Sequence, residues 1–298
     1  SAEWQEFDPV TCTKHIRLAE AFFAERVDGG EGEDPLLWKD TPVADLKRKH
    51  VKMILARHAA TPTKAKHLLN TIRKMLMVAL DEEWIENDPS HKIVWRPKSV
   101  GWRAWEDAEM ARFEEFWKVG TTPRAIYASA LWLGQRRSDV CRLRRSERQF
   151  RAVMIEGKRV EIECFVRQIE KGEQELAIPV APMVAEALDA LENKGDFYFT
   201  GPNGKHRSEK SMTGDMAKWT RMAGLPKGCT LHGLRKTLGK LAAEGGVSTR
   251  MSMDLLGHST LQQVELYSRA ANQLRMASKA MDMVVELRTA NQMANRKG

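Results

Sequence analysis

The stretch TPTKAKHLLNTIRKMLMVALDEEW, residues 61–84, does most to limit what this chain can fold into. Thr61 suits a helix N-cap and Pro62 the first helical position. Leu68, Leu69, Ile72, Met75, Leu76 and Ala79 then fall on one apolar stripe at helical spacing. Lys66, Asn70, Arg73 and Lys74 lie off that stripe. Such a polar side has two readings. It is a solvated face, as charged helix faces usually are, or it is a basic face of the kind that enters a DNA groove.

Around this helix the periodicity outlines a mainly α chain. Ile16, Ala19, Phe22, Phe23 and Val27 predict a helix over 13–27, broken by the acidic, Gly-rich DGGEGEDP. A second helix is predicted over 44–57. The run NDPSHKIVWRPKSVGWRAW, residues 87–105, has two prolines, several basic residues and weak periodicity, the marks of a linker. The expected organisation is therefore a helical domain at 1–98, a linker at 99–105 and a second domain at 106–298. In the second domain helices are expected at 106–118, 122–134 and 137–144. Residues 150–180 change to β-rich runs broken at Gly157 and at KGEQ, which predicts a small antiparallel sheet. Beyond 182 the pattern is helical again, apart from a short FYF strand at 197–199.

Composition narrows the partners. Lys and Arg total 48 against 40 Asp and Glu, a formal excess of +8 that suits a polyanion without proving one. The four cysteines, Cys12, Cys141, Cys164 and Cys229, are scattered with no CxxC pair. That argues against a zinc site and a disulfide framework, and for reduced thiols in the cytoplasm. No apolar run approaches the roughly 18–20 residues of a membrane span, and no signal peptide opens the chain.

Several short motifs carry polar groups that chemistry could use. In TLHGLRKTLGKLAAEGG, residues 230–246, Thr230 is a candidate N-cap, and His232 and Arg235 share a face in the first turn. Free N–H groups at a helix start already favour anions. In LWLGQRRSDVCRL, residues 131–143, Gly134 ends one helix and leaves Arg136 and Arg137 at the junction, with Asp139 near enough to partner a buried arginine. Lys171 sits at an expected hairpin tip, where a lysine is ordinarily solvated but can deliver a proton. In DLLGHSTLQQVELY, residues 254–267, His258 precedes Tyr267, one of three tyrosines. The other two, Tyr127 and Tyr198, lie in apolar surroundings and read as core aromatics.

GQRRSD, a hairpin lysine before IP, HGLR, then LLGH and a tyrosine nine residues on, together resemble the tyrosine recombinase (phage integrase) family. The likeness runs over most of 106–270, and NTIRKMLMVALDEEWIENDP resembles the end of that family's core-binding domain. The wording of GHSTLQQVELYSRAANQ is similar to integrases of bacterial prophages and integrative islands. The hairpin departs from the family, reading KGEQ where relatives often carry a Lys-Thr-Gly tip.

The resemblance implies a helical core-binding domain and an α+β catalytic domain with a small antiparallel sheet, closing as a clamp around DNA. It implies Arg136 and Arg235 as the clamp on the scissile phosphate and Lys171 as the acid that protonates the leaving 5′ oxygen. His232 would hold the phosphate and assist proton transfer, His258 would donate to the phosphate, and Tyr267 would be the nucleophile. Asp139 would orient Arg136. Lys64, Lys66, Asn70, Arg73 and Arg137 are the expected DNA contacts. No metal and no cofactor are expected, and no membrane. The implied partners are double-stranded DNA attachment sites, further copies of the chain in a tetramer on DNA, and accessory DNA-bending proteins, in the bacterial cytoplasm at the nucleoid. The helical spacing after Tyr267 would let a C-terminal helix dock on a neighbouring subunit.

The chemistry is coherent on its own terms. A phenol with a pKa near 10 is a poor nucleophile, and attack on a phosphodiester loads negative charge on the non-bridging oxygens. Guanidinium forks and imidazoles aimed at that charge answer the need, and a covalent phosphotyrosine conserves the bond energy for rejoining. Two other functions remain open at this level: a non-catalytic DNA-binding regulator on the same fold, and a type IB topoisomerase-like activity.

Overall fold

The computed structural model describes residues 2–27, 36–96, 101–168, 175–201, 203–257, 276–278 and 280–285. The chain divides into two compact units, Ser1–Ser99 and Val100–Gly298.

The first unit is helical: α1 (Ala2–Gln5), α2 (Pro9–Phe23), α3 (Arg48–Arg57) and α4 (Pro62–Asp81). α2 begins four residues before the expected 13. Asp8 is its N-cap, accepting from the Val10 N–H at 2.7 Å, and Pro9 occupies the first turn. It also ends earlier, at Phe23, so Phe22 is buried while Ile16 and Phe23 stay exposed. α3 starts at Arg48 rather than 44, because Val43–Asp45 form a separate 3-10 turn. α4 is the expected long helix, and Leu68, Leu69, Ile72 and Leu76 fill the core with Phe22, Trp38, Val51, Ile54 and Leu55. Thr61 holds the N-cap position without capping, since its hydroxyl turns to the His58 carbonyl. The Trp95 indole closes over this end, donating to the Pro62 carbonyl at 2.9 Å.

The second unit carries α5 (Asp107–Phe116), α6 (Thr122–Trp132), α7 (Arg137–Cys141), β1 (Arg148–Ile155), β2 (Lys158–Gln168), β3 (Glu175–Pro179), α8 (Pro182–Asp189), α9 (Glu209–Met222), α10 (Leu231–Glu244) and α11 (Thr249–Leu256). The sheet is antiparallel in the order β1-β2-β3, with Arg148 facing Phe165 and Phe165 facing Ile178. Glu156 and Gly157, both at positive φ, make the two-residue turn that joins β1 to β2. The FYF segment forms an isolated bridge rather than a strand, Phe197 to Arg144, and Thr200 just after it bridges to His206. Its aromatics serve the core: Tyr198 and Phe199 are buried, as is Tyr127. α10 lies on α6 and α11, at the centre of a core that includes Trp105, Phe113, Ile126, Leu131, Phe165, Leu234 and Leu238.

Residues 101–105, expected as linker, are part of this second unit. The Trp105 N–H donates to the buried Thr237 hydroxyl at 2.7 Å, and its indole donates to the Thr230 carbonyl at 3.0 Å. Arg103 forks onto Glu109 at 2.7 and 2.6 Å. This strap has no periodicity of its own because the partners of Trp105 lie more than 120 residues along the chain.

Candidate active site

α10 begins at the Thr230 N-cap, whose hydroxyl accepts from the Gly233 N–H at 3.1 Å. That cap sets His232 and Arg235 in the first turn, and the two then diverge in environment. His232 is exposed, whereas Arg235 is 2 % exposed.

Arg235 supplies the geometry around which the rest gathers. Its guanidinium donates to the carbonyl of Gly134 and, at 2.8 Å, to the carbonyl of Leu256. Gly134 lies two residues before Arg136, and Leu256 two residues before His258. One buried fork thus ties together the backbones that lead into two of the expected site residues. In these two bonds the buried Arg235 is matched by main-chain oxygens.

The turn at Gly134 is built for close approach. Its φ is +60°, and a Cβ there would lie 2.7 Å from Leu238 Cδ2 and 2.9 Å from Leu256 Cδ2. Gly257, at φ +60°, ends α11 in the left-handed conformation. A Cβ on it would lie 3.1 Å from Leu176 Cδ2. Leu176 is the second residue of β3, the strand that follows residues 169–174 in sequence. Lys171, His258 and Tyr267 themselves lie outside the described residues.

Arg136 is exposed at the start of α7. Asp139 does not reach its guanidinium in the bonds formed; its carboxylate accepts from the Arg136 backbone N–H at 3.1 Å, fixing the main chain of the turn. Arg137 points elsewhere. It donates to Glu209 at 3.1 and 2.6 Å and to the Thr213 hydroxyl at 2.9 Å, joining α7 to α9.

His232 senses this charge. Partial burial, and then the positive charges of Arg235, Lys236, Arg137 and Arg136, lower its pKa below the ordinary 6.5. The imidazole is therefore neutral at pH 7, with one ring nitrogen free to accept a proton. Chemically this is a surface of guanidinium groups and one neutral imidazole, suited to an anion that gains charge during reaction. Among the described residues no three His, Cys, Asp or Glu side chains gather so as to hold a metal ion, and no helix is long and apolar enough to cross a membrane. The cysteines are free thiols, and burial pushes Cys141 and Cys229 each up to about 11.

In the first unit the expected DNA-facing residues divide. Lys64, Lys66 and Asn70 are exposed. Arg73 is half-buried and donates to the Ile93 carbonyl, so it fastens the 85–95 segment to α4. Sequence reading missed Lys14 and Arg17 of α2, which are exposed beside Lys64 and His67 along one shallow depression. It also missed Trp102, whose ring lies 5.8 Å from that of His232.

With this geometry in place, kinship gives the class: the chain is a site-specific DNA recombinase enzyme. It belongs to the phage integrase family, whose model matches residues 109–273, more than half of the chain. Among its relatives is the tyrosine recombinase XerD of Lacticaseibacillus casei, 22% identical over 227 residues that cover 71% of this chain and 74% of the relative. Tyrosine recombinase XerC of Rickettsia canadensis is 30% identical over 114 residues, covering 36% of this chain and 37% of that protein. The fold is shared with a lambda integrase dimer bound to a COC' core site, at a TM-score of 0.68 and 16% identity over 90% of this chain and 91% of that one. It is shared equally with the Tn1549 transposon integrase in complex with transposon right end DNA, at a TM-score of 0.70 and 15% identity over 94% and 95% of the two chains.

Proposed function

We propose that the chain is the integrase of a bacterial mobile element, cutting and rejoining DNA at attachment sites through a 3′-phosphotyrosyl intermediate. The observation that carries this reading is the Arg235 fork, which joins the backbone ahead of Arg136 to the backbone ahead of His258. Arg136 and Arg235 supply positive charge for the scissile phosphate, and His258 donates to it. The Tyr267 Oη–phosphorus bond forms as the bond from phosphorus to the 5′ oxygen breaks. Lys171 gives its proton to that leaving oxygen, producing a free 5′-hydroxyl. His232, neutral at pH 7, takes the phenolic proton. Rejoining is the reverse, with the other strand's 5′-hydroxyl as nucleophile.

On this reading DNA contacts in the first unit come from Lys14, Arg17, Lys64 and Lys66, with Arg73 reassigned to structure. Lambda integrase has been seen as a tetramer bound to a Holliday junction; the same assembly on DNA, with accessory bending proteins and a site of action at the nucleoid, is the expectation here. The exposed Met281 and Val284 near the C-terminus suit docking on a neighbouring copy.

The test is a pool of nicked suicide duplexes with a randomised centre, incubated with the full chain and run on a denaturing gel. A covalent protein–DNA band that is lost in Tyr267→Phe is the expected result. Absence of any band from the pool would favour a non-catalytic regulator. Supercoil relaxation without pairing of sites would favour the topoisomerase-like alternative.

A further inference from the structure

We propose that Trp102 is a positioning residue for His232, and that the 101–105 strap exists to hold that imidazole in one orientation over the first turn of α10. The inference rests on the role given to His232 above and goes beyond it, by naming what fixes the ring.

Three contacts pin the strap along the helix start. The Lys236 ammonium donates to the Trp102 carbonyl at 2.8 Å. The Trp105 N–H donates to Thr237 at 2.7 Å. Between them the Arg103 carbonyl passes so close to Gly233 that a Cβ there would sit 2.6 Å from its oxygen and 3.0 Å from the Trp105 ring. The glycine of HGLR is thus accounted for by strap contact: a side chain at position 233 would push the strap off the helix.

What the pinned strap delivers is the Trp102 indole. Its ring lies 5.8 Å from the His232 ring at an interplanar angle of 53°. An exposed imidazole on a helix can turn about both side-chain torsions, and its two nitrogens exchange places by a half-turn of the ring. A neighbouring aromatic face restricts that turn. Trp102 is 54% exposed, far more open than a tryptophan serving the core, and Trp105, at 1%, already fills the core role for this segment. The charged groups facing His232 are Arg235 and Lys236 on its own helix and Arg136 and Arg137 on α7.

The experiment compares Trp102→Ala and Trp102→Phe with the unmodified full chain. Single-turnover formation of the covalent adduct at saturating nicked DNA is measured against pH, DNA affinity is measured separately, and His232 is titrated by NMR. In Trp102→Ala the rate should fall about tenfold, the size of effect one aromatic pair supports, with affinity for DNA within about twofold. The His232 midpoint and the acid limb of the rate profile should rise together toward 6.5, and Trp102→Phe should restore most of both. An unchanged His232 titration, or a loss that lies wholly in DNA affinity, would overturn the proposal. If the unmodified chain formed no adduct, the catalytic reading would fail instead, and the His232 titration in Trp102→Ala would still decide the positioning claim.

Discussion

Replacing Arg235 by lysine separates the two tasks of that residue, because lysine keeps the charge and loses the fork. The guanidinium spans two carbonyls, of Gly134 and Leu256, from a position 2 % exposed. An ammonium concentrates its donors on one nitrogen and cannot reproduce a planar fork, so at least one of these charge-assisted bonds is lost. Such a bond contributes about 1.5–3 kcal/mol, and the carbonyl left behind has no water to turn to. For a unit of this size each kcal/mol moves the melting temperature by roughly 2–4 °C, so Arg235→Lys should lower it by about 3–12 °C. The assay is thermal unfolding of the full chain followed by circular dichroism. The two units can melt in separate steps, and near-ultraviolet signal follows the packing of both, since Trp38 is buried in the first core and Trp105 in the second. Adduct formation should fall with stability even below the melting range, because the turns before Arg136 and His258 lose their common anchor. An Arg235→Lys chain that melted with the unmodified protein would refute the reasoning, since the fork would then hold nothing.

Gly134→Ala should destabilise by about 2 kcal/mol or more, from an alanine forced to positive φ and a methyl driven into Leu238 and Leu256; urea unfolding measures it, and an unchanged midpoint would count against the tight turn. In the first unit, Lys64→Ala and Arg17→Ala should each weaken DNA binding and lower its salt slope by about 1. Arg73→Ala should instead lower stability and leave the salt slope alone, because its guanidinium is held by Ile93; equal salt slopes for all three variants would reject the division. Stability of the first unit should also fall with acid. Burial is the leading cause that lowers the pKa of His15, His50 and His67. The folded state therefore binds fewer protons than the unfolded one at pH values below the ordinary 6.5, and stability present above that value is lost as pH falls toward the folded pKa values. Urea unfolding at about pH 7.5 and 5.5 tests this, and a flat profile would sink it.

Local signals in the sequence were legible where the physics is local. The α4 stripe, the Thr230 cap and the turn at Gly157 each depend on residues within a few positions of one another, and each forms where the pattern places it. Boundaries moved where a neighbouring residue offered a better terminus, as Asp8 and Pro9 did for α2. The strap at 101–105 was illegible because, apart from Glu109, what holds it is distant in sequence: Thr230, Gly233 and Thr237 arrive only with the fold. The same reason hid the role of Arg73. A helix wheel puts it on the polar side, and only the return of the 85–95 segment shows that Ile93 takes its guanidinium.

Charge is the clearest case of information that sequence withholds. The run from Arg142 to Arg151 looks like a nucleic-acid patch in a chain of net charge +8, yet the fold spends most of it on itself. Arg144 pairs with Asp196, Arg148 with Glu163 and Asp189, and Arg151 with Glu175, while Arg145 is held by the carbonyls of Asn193 and Gly195. Arg137 is taken by Glu209. Against that background Arg136 stands apart, since its guanidinium makes no hydrogen bond or ion pair among the described residues. An exposed cation needs no partner to survive in water. Its neighbours, however, include the Arg137 and Arg235 charges that lower the His232 pKa, and gathering like charges works against folding. Local rules are broken in this way chiefly where a ligand completes the balance. On the proposed reading the anion that does so accepts from Arg136 and lies beside the neutral His232 imidazole, and a DNA phosphate meets both conditions.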